Sequence, residues 1–414
     1  MIALFASLVL CPLLYLPGLF FSYALLGAAQ PPDALERHFE RVAAGVLLNG
    51  WLVLTLAELG IFSAWLHVLL LILFCLACGF IAWRRGGLRL QRARTAAGAI
   101  ARPRTVRTWV AQHGVTGLFV AVLVLFALLV ARPFEVVLGA RDAGVYAATG
   151  FAIARTGGIV QHDALVQQIA EDQRSPDPLL RAAAEQAGTN LLGIQDKERY
   201  IATRLRFAGF LINNGELSSG RVVPQFFHLY PAWIGLLASL LGLRGGLLAT
   251  SMFGLLGVWS VGMLGRRLAG RWVGLLGALF LALNGAQVWF SRYSTSEACA
   301  QFLSFAALYF FAAMHLPIEP TSLRPNQQQP FAPGNYRTFA GVLAGVAAGQ
   351  LAMARIDFFP IVLPLLAYLA YQALMRRWSR PLSALALGLS AMLAHMSIHI
   401  VTISRAYVID TLFA

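Results

Sequence analysis

Apolar residues along this chain arrive in long blocks separated by short polar or arginine-bearing stretches, a pattern that predicts helices. Ten blocks approach the roughly 20 residues that cross a bilayer as a helix. They are 3–26, 42–58, 61–82, 116–131, 246–264, 272–290, 297–315, 338–354, 357–374 and 382–404. None alternates with period two, which excludes a transmembrane β-barrel. The first block has no basic residue before it and no small-residue cleavage site after it. It therefore reads as a span rather than a signal peptide, with a kink expected at Pro17-Gly18.

The long segment 132–245 breaks the pattern and reads as a small folded subdomain. Residues 142–155 have helical spacing and end at Gly157-Gly158, a suitable helix stop. Residues 178–188 form a second short helix, and Asn213-Asn214-Gly215 between apolar runs predicts a hairpin over 207–223. The apolar run 228–241 is expected to lie along the membrane interface, with Tyr230 and Trp233 as interfacial anchors. The predicted fold class is thus an all-α polytopic membrane protein of about ten helices. Residues 1–110 form a three-helix preface with a basic loop, and 111–414 form the core.

Composition sharpens this picture. Of 414 residues, 58% are hydrophobic and 12% charged, with a mean hydropathy of +0.69. An ordinary soluble chain has about 25% charged residues, so a water-soluble enzyme is excluded. The net charge of +14 comes from 31 Arg and the single Lys197. Eight arginines lie between Trp83 and Trp109; Arg266, Arg267 and Arg271 follow block five, and Arg376, Arg377 and Arg380 follow block nine. Short basic loops mark the cytoplasmic side. All three clusters agree if the spans alternate and 132–245 lies outside. The charge is therefore mainly a topology label, with a contribution from anionic lipid head groups. It is not a nucleic-acid footprint, because the basic loops carry almost no aromatic residues for base stacking. Arginine in place of lysine is the usage of a GC-rich bacterial genome, so the membrane is expected to be a bacterial plasma membrane. Cys75 and Cys78 form a C-x-x-C inside an apolar run, where they read, like Cys11 and Cys299, as small buried hydrophobes.

Chemistry has few places to reside. The chain has no Walker-type phosphate loop, nucleophile elbow, H-E-x-x-H or Cys/His zinc cluster. Ten of its 18 acidic residues fall within 132–245. Asp142, Glu297 and Asp357 each sit at or just before a helix start on the external side, with Arg141, Arg292 and Arg355 nearby. Each has a structural reading too: capping for Asp142 and for Glu297 after Ser294-Thr295-Ser296, and a local ion pair for Arg355 and Asp357. Three on one face of one membrane point beyond capping. His162-Asp163 could assist an acid–base group or form a plain turn. His395 and His399, four apart, read as helix–helix hydrogen-bonding groups rather than a metal pair, and Glu58 as solvated. Carboxylates and arginines at an outer membrane face suit group transfer from a lipid-phosphate carrier. A carboxylate removes the acceptor's proton, and cations stabilise the departing phosphate.

At these residues the sequence resembles the GT-C superfamily of polytopic glycosyltransferases. More narrowly, it is similar to the protein-mannosyltransferase and lipid-A aminoarabinose transferase type (the glycosyltransferase 39 group). The likeness covers about 130 to 410 and rests on the order of five segments. These are ARDAGVYAATGFAIARTGGIV, PQFFHLYPAWIGLLASLLG, GRRLAGRWVGLLGALFLALN, WFSRYSTSEACAQFLSFAALYF and ARIDFFPIVLPLLAYL. The resemblance implies an inverting transferase that uses a polyprenyl-phosphate sugar donor and a glycan, lipid or protein acceptor. It implies Asp142 as the base, while Glu297 and Asp357 position the acceptor or help hold a divalent ion. Arg141, Arg221, His228 and Arg292 then handle the phosphate, and Tyr146, His162, Asp163, Tyr230, Tyr293 and Arg355 complete the substrate-binding set. Glu297 stands where many members carry Asp, and His228 where a stronger cation is usual. Such enzymes usually continue into further helices, so this chain is expected to be a fragment or a short member. The rival expectation is a transporter or lipid flippase, which needs charged groups deep in its helices; a non-catalytic membrane scaffold is a third.

Overall fold

The computed structural model describes residues 2–27, 33–85, 106–139, 142–191, 203–207, 209–213, 219–316 and 333–413. Arg141 and the Asn214-Gly215 turn fall outside these residues. The apolar blocks form helices α1 (Ile2–Leu26), α2 (Ala34–Glu58), α3 (Ala64–Arg84) and α4 (Val106–Val130), then α5 (Asp142–Thr156). After the 161–224 region come α8 (Leu229–Ala269), α9 (Arg271–Ala282), α10 (Gly285–Phe290), α11 (Glu297–His315), α12 (Pro333–Ala352), α13 (Phe359–Leu374) and α14 (Arg380–His399). A π turn, Ile400–Ser404, joins α14 to α15 (Arg405–Phe413). Among the described residues, six helices are long and apolar enough to cross a membrane: parts or all of α1, α2, α3, α8, α11 and α14 with its extension. Three shorter apolar helices lie in α4, α9 and α13. This is a helical membrane protein.

The interior is built from Ala, Leu and aromatic side chains, with Trp233, Tyr230, Tyr309, Phe39 and Phe302 among its largest fully buried members. Two predicted elements differ. The block 272–290 is broken: α9 stops at Ala282, and Asn284 starts α10 by accepting a hydrogen bond from the Gln287 N–H at 3.1 Å. The run 228–241 does not lie on an interface. Residues 229–238 are all buried, and the chain reverses at Gly242 (φ 76°, ψ 178°). The Tyr230 hydroxyl therefore meets Thr250, twenty residues on. In a straight helix that separation would span about 30 Å. Burial wins because the run is apolar all round, as expected for a core helix.

The 161–224 region holds β1 (Gln161–His162), α6 (Ala164–Asp172), α7 (Pro178–Leu191), β2 (Thr203–Phe207), β3 (Phe210–Asn213) and β4 (Arg221–Pro224). The strands form one antiparallel sheet in the order β1-β4-β3-β2. The expected hairpin is its β3–β4 pair, with Leu211 opposite Val223. A small core of Val166, Ile169, Phe210, Ile212 and Val222 closes over Val145 of α5. Helix α5 ends as expected, with Gly157 at φ 80°.

Ion pairs register the two ends of the bundle. At the end away from the sheet, Arg266 pairs with Asp33, and Arg267 donates to Glu36 at 2.7 Å. Glu40 there accepts from Tyr309 at 2.9 Å and from Tyr336. Arg266 and Arg267 are thus engaged partners as well as loop charges. All four cysteines are free; Cys78 and Cys299 are buried, and Cys11 faces outward.

Candidate functional site

At the sheet end, the starts of α5 and α11 and the turn after α12 bring three acids to one place. Asp142 opens α5 and is exposed; no hydrogen bond or ion pair reaches it from the described residues. Glu297 opens α11, where a carboxylate is favoured by the unpaired N–H groups and the helix dipole. Arg355 bridges the other two acids. Its Nη1 donates to Glu297 Oε1 at 2.7 Å, while Nε and Nη2 donate to the two oxygens of Asp357 at 2.7 and 3.0 Å. This bidentate grip, the geometry to which a guanidinium is suited, holds the Asp357 carboxyl below the usual carboxylate range and pushes the Arg355 guanidinium up. The charges of Asp142, Arg355 and Asp357 all reach the Tyr407 phenol of α15. Those of Glu297 and Arg355 reach the phenol of Tyr146, one turn after Asp142. The Tyr146 hydroxyl lies 3.1 Å from Ser296 Oγ.

No family model, curated protein or solved structure matches the chain.

Beneath the acids lies an aromatic floor. Phe226 stacks on Tyr146 at 4.9 Å and meets Tyr407 edge-on at 5.4 Å. Its backbone has φ 78°, a conformation that costs a bulky residue about 1–3 kcal/mol and concentrates at functional sites. Ser404, in the π turn, helps hold it by donating to the Phe226 carbonyl at 3.1 Å. The same hydroxyl sits 3.1 Å from His399 Nε2, which is 3.0 Å from His228 Nδ1. On its other side, His399 Nδ1 contacts Glu58 Oε1 at 2.6 Å, and His395 Nε2 contacts Glu58 Oε2 at 2.6 Å. Glu58, His399 and His228 form a chain that runs from the half-buried carboxylate to two buried imidazoles, with His228 Nε2 its unpartnered end among the described residues.

The histidines do link helices, as expected, but Glu58 is their half-buried, ion-paired partner rather than a solvated end residue. His228 is fully buried and so does not present a cation to a phosphate. Tyr230 is likewise in the core. Arg292 turns away from Glu297: it donates to the Arg132 carbonyl at 2.8 Å and covers the Phe134 ring at 4.4 Å. Tyr293 packs near Trp289 at 6.2 Å. Arg221 donates to the Thr402 carbonyl at 2.7 Å, tying β4 to the π turn. His162 and Asp163 belong to the sheet region. Asp163 caps α6 through the Leu165 and Val166 N–H groups and pairs with Arg206 at 2.6 Å. Partial burial pushes the Asp163 carboxyl up, but Arg206 and these N–H groups outweigh it and hold it low.

A divalent ion does not fit the expected carboxylates. The Arg355 guanidinium occupies the space between Glu297 and Asp357, and no group of three or more His, Cys, Asp or Glu among the described residues suits a metal. Sequence reasoning missed Phe226, Tyr407, Ser404 and the Glu58 link. Only the i, i+4 spacing of His395 and His399 signalled any of them.

Proposed function

We propose that this chain is a membrane glycosyltransferase of the GT-C type, with about ten crossings and the sheet end on the extracytoplasmic side of a bacterial plasma membrane. It moves a sugar from a polyprenyl-phosphate donor to a glycan, lipid or protein acceptor. The observation that carries this reading is the gathering of Asp142, Glu297, Arg355 and Asp357 above a strained aromatic floor, with Asp142 the one of these three acids that no described residue engages by hydrogen bond or ion pair. Asp142 is the base that takes the acceptor hydroxyl's proton as the sugar carbon–phosphate oxygen bond breaks. Glu297 and Asp357, locked by Arg355, offer acceptors to sugar hydroxyls, and the partly exposed Tyr407 offers a phenol, while the buried Tyr146 supports the floor from below. No step uses a metal.

The test is transfer from a labelled polyprenyl-phosphate sugar in proteoliposomes. Asp142→Asn should lower the rate by at least about 100-fold, the usual contribution of a general base, and a chelator should leave wild-type transfer intact. Undiminished transfer by Asp142→Asn would remove the base assignment. A second reading, a proton-coupled transporter, draws on the Glu58–His399–His228 chain, since ionisable groups inside a membrane bundle mark ion paths. Substrate flux that responds to a pH gradient, is lost in Glu58→Gln and involves no sugar transfer would select it.

A further inference from the structure

A second polar site lies at the other end of α5. Asp142 and Arg155 are thirteen residues apart, about 20 Å along the helix axis. There a cleft of about 870 Å³ opens between α5, the sheet and the Gly242 reversal. Its walls are largely apolar, with Leu138, Phe207 and Leu243 exposed. Its polar lining is Arg155, Arg206 and His162 with Gln161, Ser239 and one acid, Asp163, which Arg206 neutralises. Arg155 is exposed, and no hydrogen bond or ion pair engages it among the described residues. Arg206 spends its Nε on Asp163, and His162 stands beside them. Arg155 is favoured in the last turn of α5, where the helix dipole is negative, so holding a cation there needs no ligand. Its position on an apolar cleft, beside a second guanidinium, creates the binding chemistry.

The Gly242 reversal borders a second space as well. Leu240 lines a largely apolar groove of about 760 Å³ between α1 and α3, together with Leu13, Phe20, Leu71 and Leu76. One turn of chain, 238–243, therefore separates a cationic cleft from a hydrocarbon-lined groove. A free anion uses only the first; a molecule with a phosphate head and a long chain uses both.

We propose that this cleft binds the phosphate head group of an anionic glycerophospholipid, with Arg155 and Arg206 on the phosphate and an acyl chain entering the α1–α3 groove. The lipid is a bound partner and not a reactant, because its phosphate lies about 20 Å from Asp142. Its role is to tie the sheet region to the bundle and the bilayer. Neither the transferase reading nor the transporter reading is needed for it.

The test is native mass spectrometry of the full chain, delipidated in detergent and offered phosphatidylglycerol or phosphatidylcholine. Wild type should retain one phosphatidylglycerol with at least about tenfold preference, corresponding to about 1.4 kcal/mol. Arg155→Gln, an exposed change that leaves the Asp163–Arg206 pair intact, should reduce that preference at least about threefold. Arg155→Gln with Arg206→Gln should abolish it. Arg244→Gln, which alters the exposed pair with Glu135, should leave it unchanged. Equal retention of the two lipids by wild type would overturn the proposal. So would undiminished preference in Arg155→Gln, or displacement of phosphatidylglycerol by an equal concentration of inorganic phosphate, which would make this a free-anion site.

Discussion

Arg355 decides how the acid cluster behaves, because a single guanidinium satisfies two carboxylates contributed by different elements. It also makes the cluster's pH response predictable in sign. A carboxyl whose folded pKa is depressed adds stability above its unfolded value, near 4, and that stability disappears as pH falls through the lower folded value. Asp357, held low by Arg355, and Asp163, held low by Arg206 despite partial burial, both act in this direction. The melting temperature should therefore fall on acidification from about pH 5 to about pH 3. Arg355→Gln should flatten part of that fall, and Arg206→Gln another part, as read by thermal unfolding in detergent at each pH. The exposure of Asp357 keeps its share small. An unchanged acid slope in Arg355→Gln would mean that the bridge does not hold the Asp357 proton affinity down. At neutral pH the same variant should still lose transfer, because Glu297 and Asp357 would then repel one another and separate.

At the scale of elements, the close seam between α5 and α8 shapes the site, and glycine makes it possible. A Cβ on Gly150 would lie 2.5 Å from Ile234 Cβ and 2.8 Å from the Pro231 carbonyl oxygen. Gly242 is the opposite case: a Cβ there meets nothing within 4 Å, but its φ of 76° with extended ψ is a region that only glycine occupies readily. Gly242→Ala should therefore cost about 1–3 kcal/mol through backbone strain alone. Gly150→Ala should do more damage, pushing α5 and with it Asp142 away from Glu297. Thermal stability in detergent compares the two; a harmless Gly150→Ala would mean that α5 is not seated on Ile234. The positions of the long helices were legible because apolar blocks of span length have few alternatives. The α9–α10 break was less so: one Asn at 284 caps a new helix inside an otherwise continuous apolar run. The burial of 229–238 was missed because the side assigned to the later arginine loops argued against another crossing and favoured an interfacial helix, whereas the all-round apolar pattern is that of a core helix. Asp142, Glu297 and Asp357 were legible as helix-start acids, and the Arg355–Asp357 pair is local in sequence. Glu58 was not, since its partners lie 337 and 341 residues away, and Phe226 has a conformation rather than a residue type as its distinguishing mark.

For the whole molecule, everything proposed about chemistry depends on which side of the membrane holds the sheet end. The bundle has two unlike ends. One carries Asp142, Glu297, Asp357 and the sheet; the other carries the Arg266–Asp33 and Arg267–Glu36 pairs and the turn of Arg376 and Arg377. Arginine counts in short loops, not their pairing state, set orientation during insertion, so the engagement of Arg266 and Arg267 does not weaken the bias they impose. Leu179, 81% exposed on α7, and Trp378, 48% exposed in the turn before α14, report the two ends. In a chain freed of its four cysteines, Leu179→Cys should react with a membrane-impermeant maleimide in intact cells. Trp378→Cys should react only after the membrane is opened. The reverse result would put the acid cluster on the cytoplasmic face. It would leave the helical fold and the lipid cleft untouched but remove the reason for a lipid-linked sugar, since soluble nucleotide sugars are available on that side. Labelling of both positions from one side would instead mean that an odd number of the helices between them, α9, α12 or α13 beside the long spans α8 and α11, fails to cross. Orientation, helix count and donor class are thus joined, and this pair of cysteines tests all three.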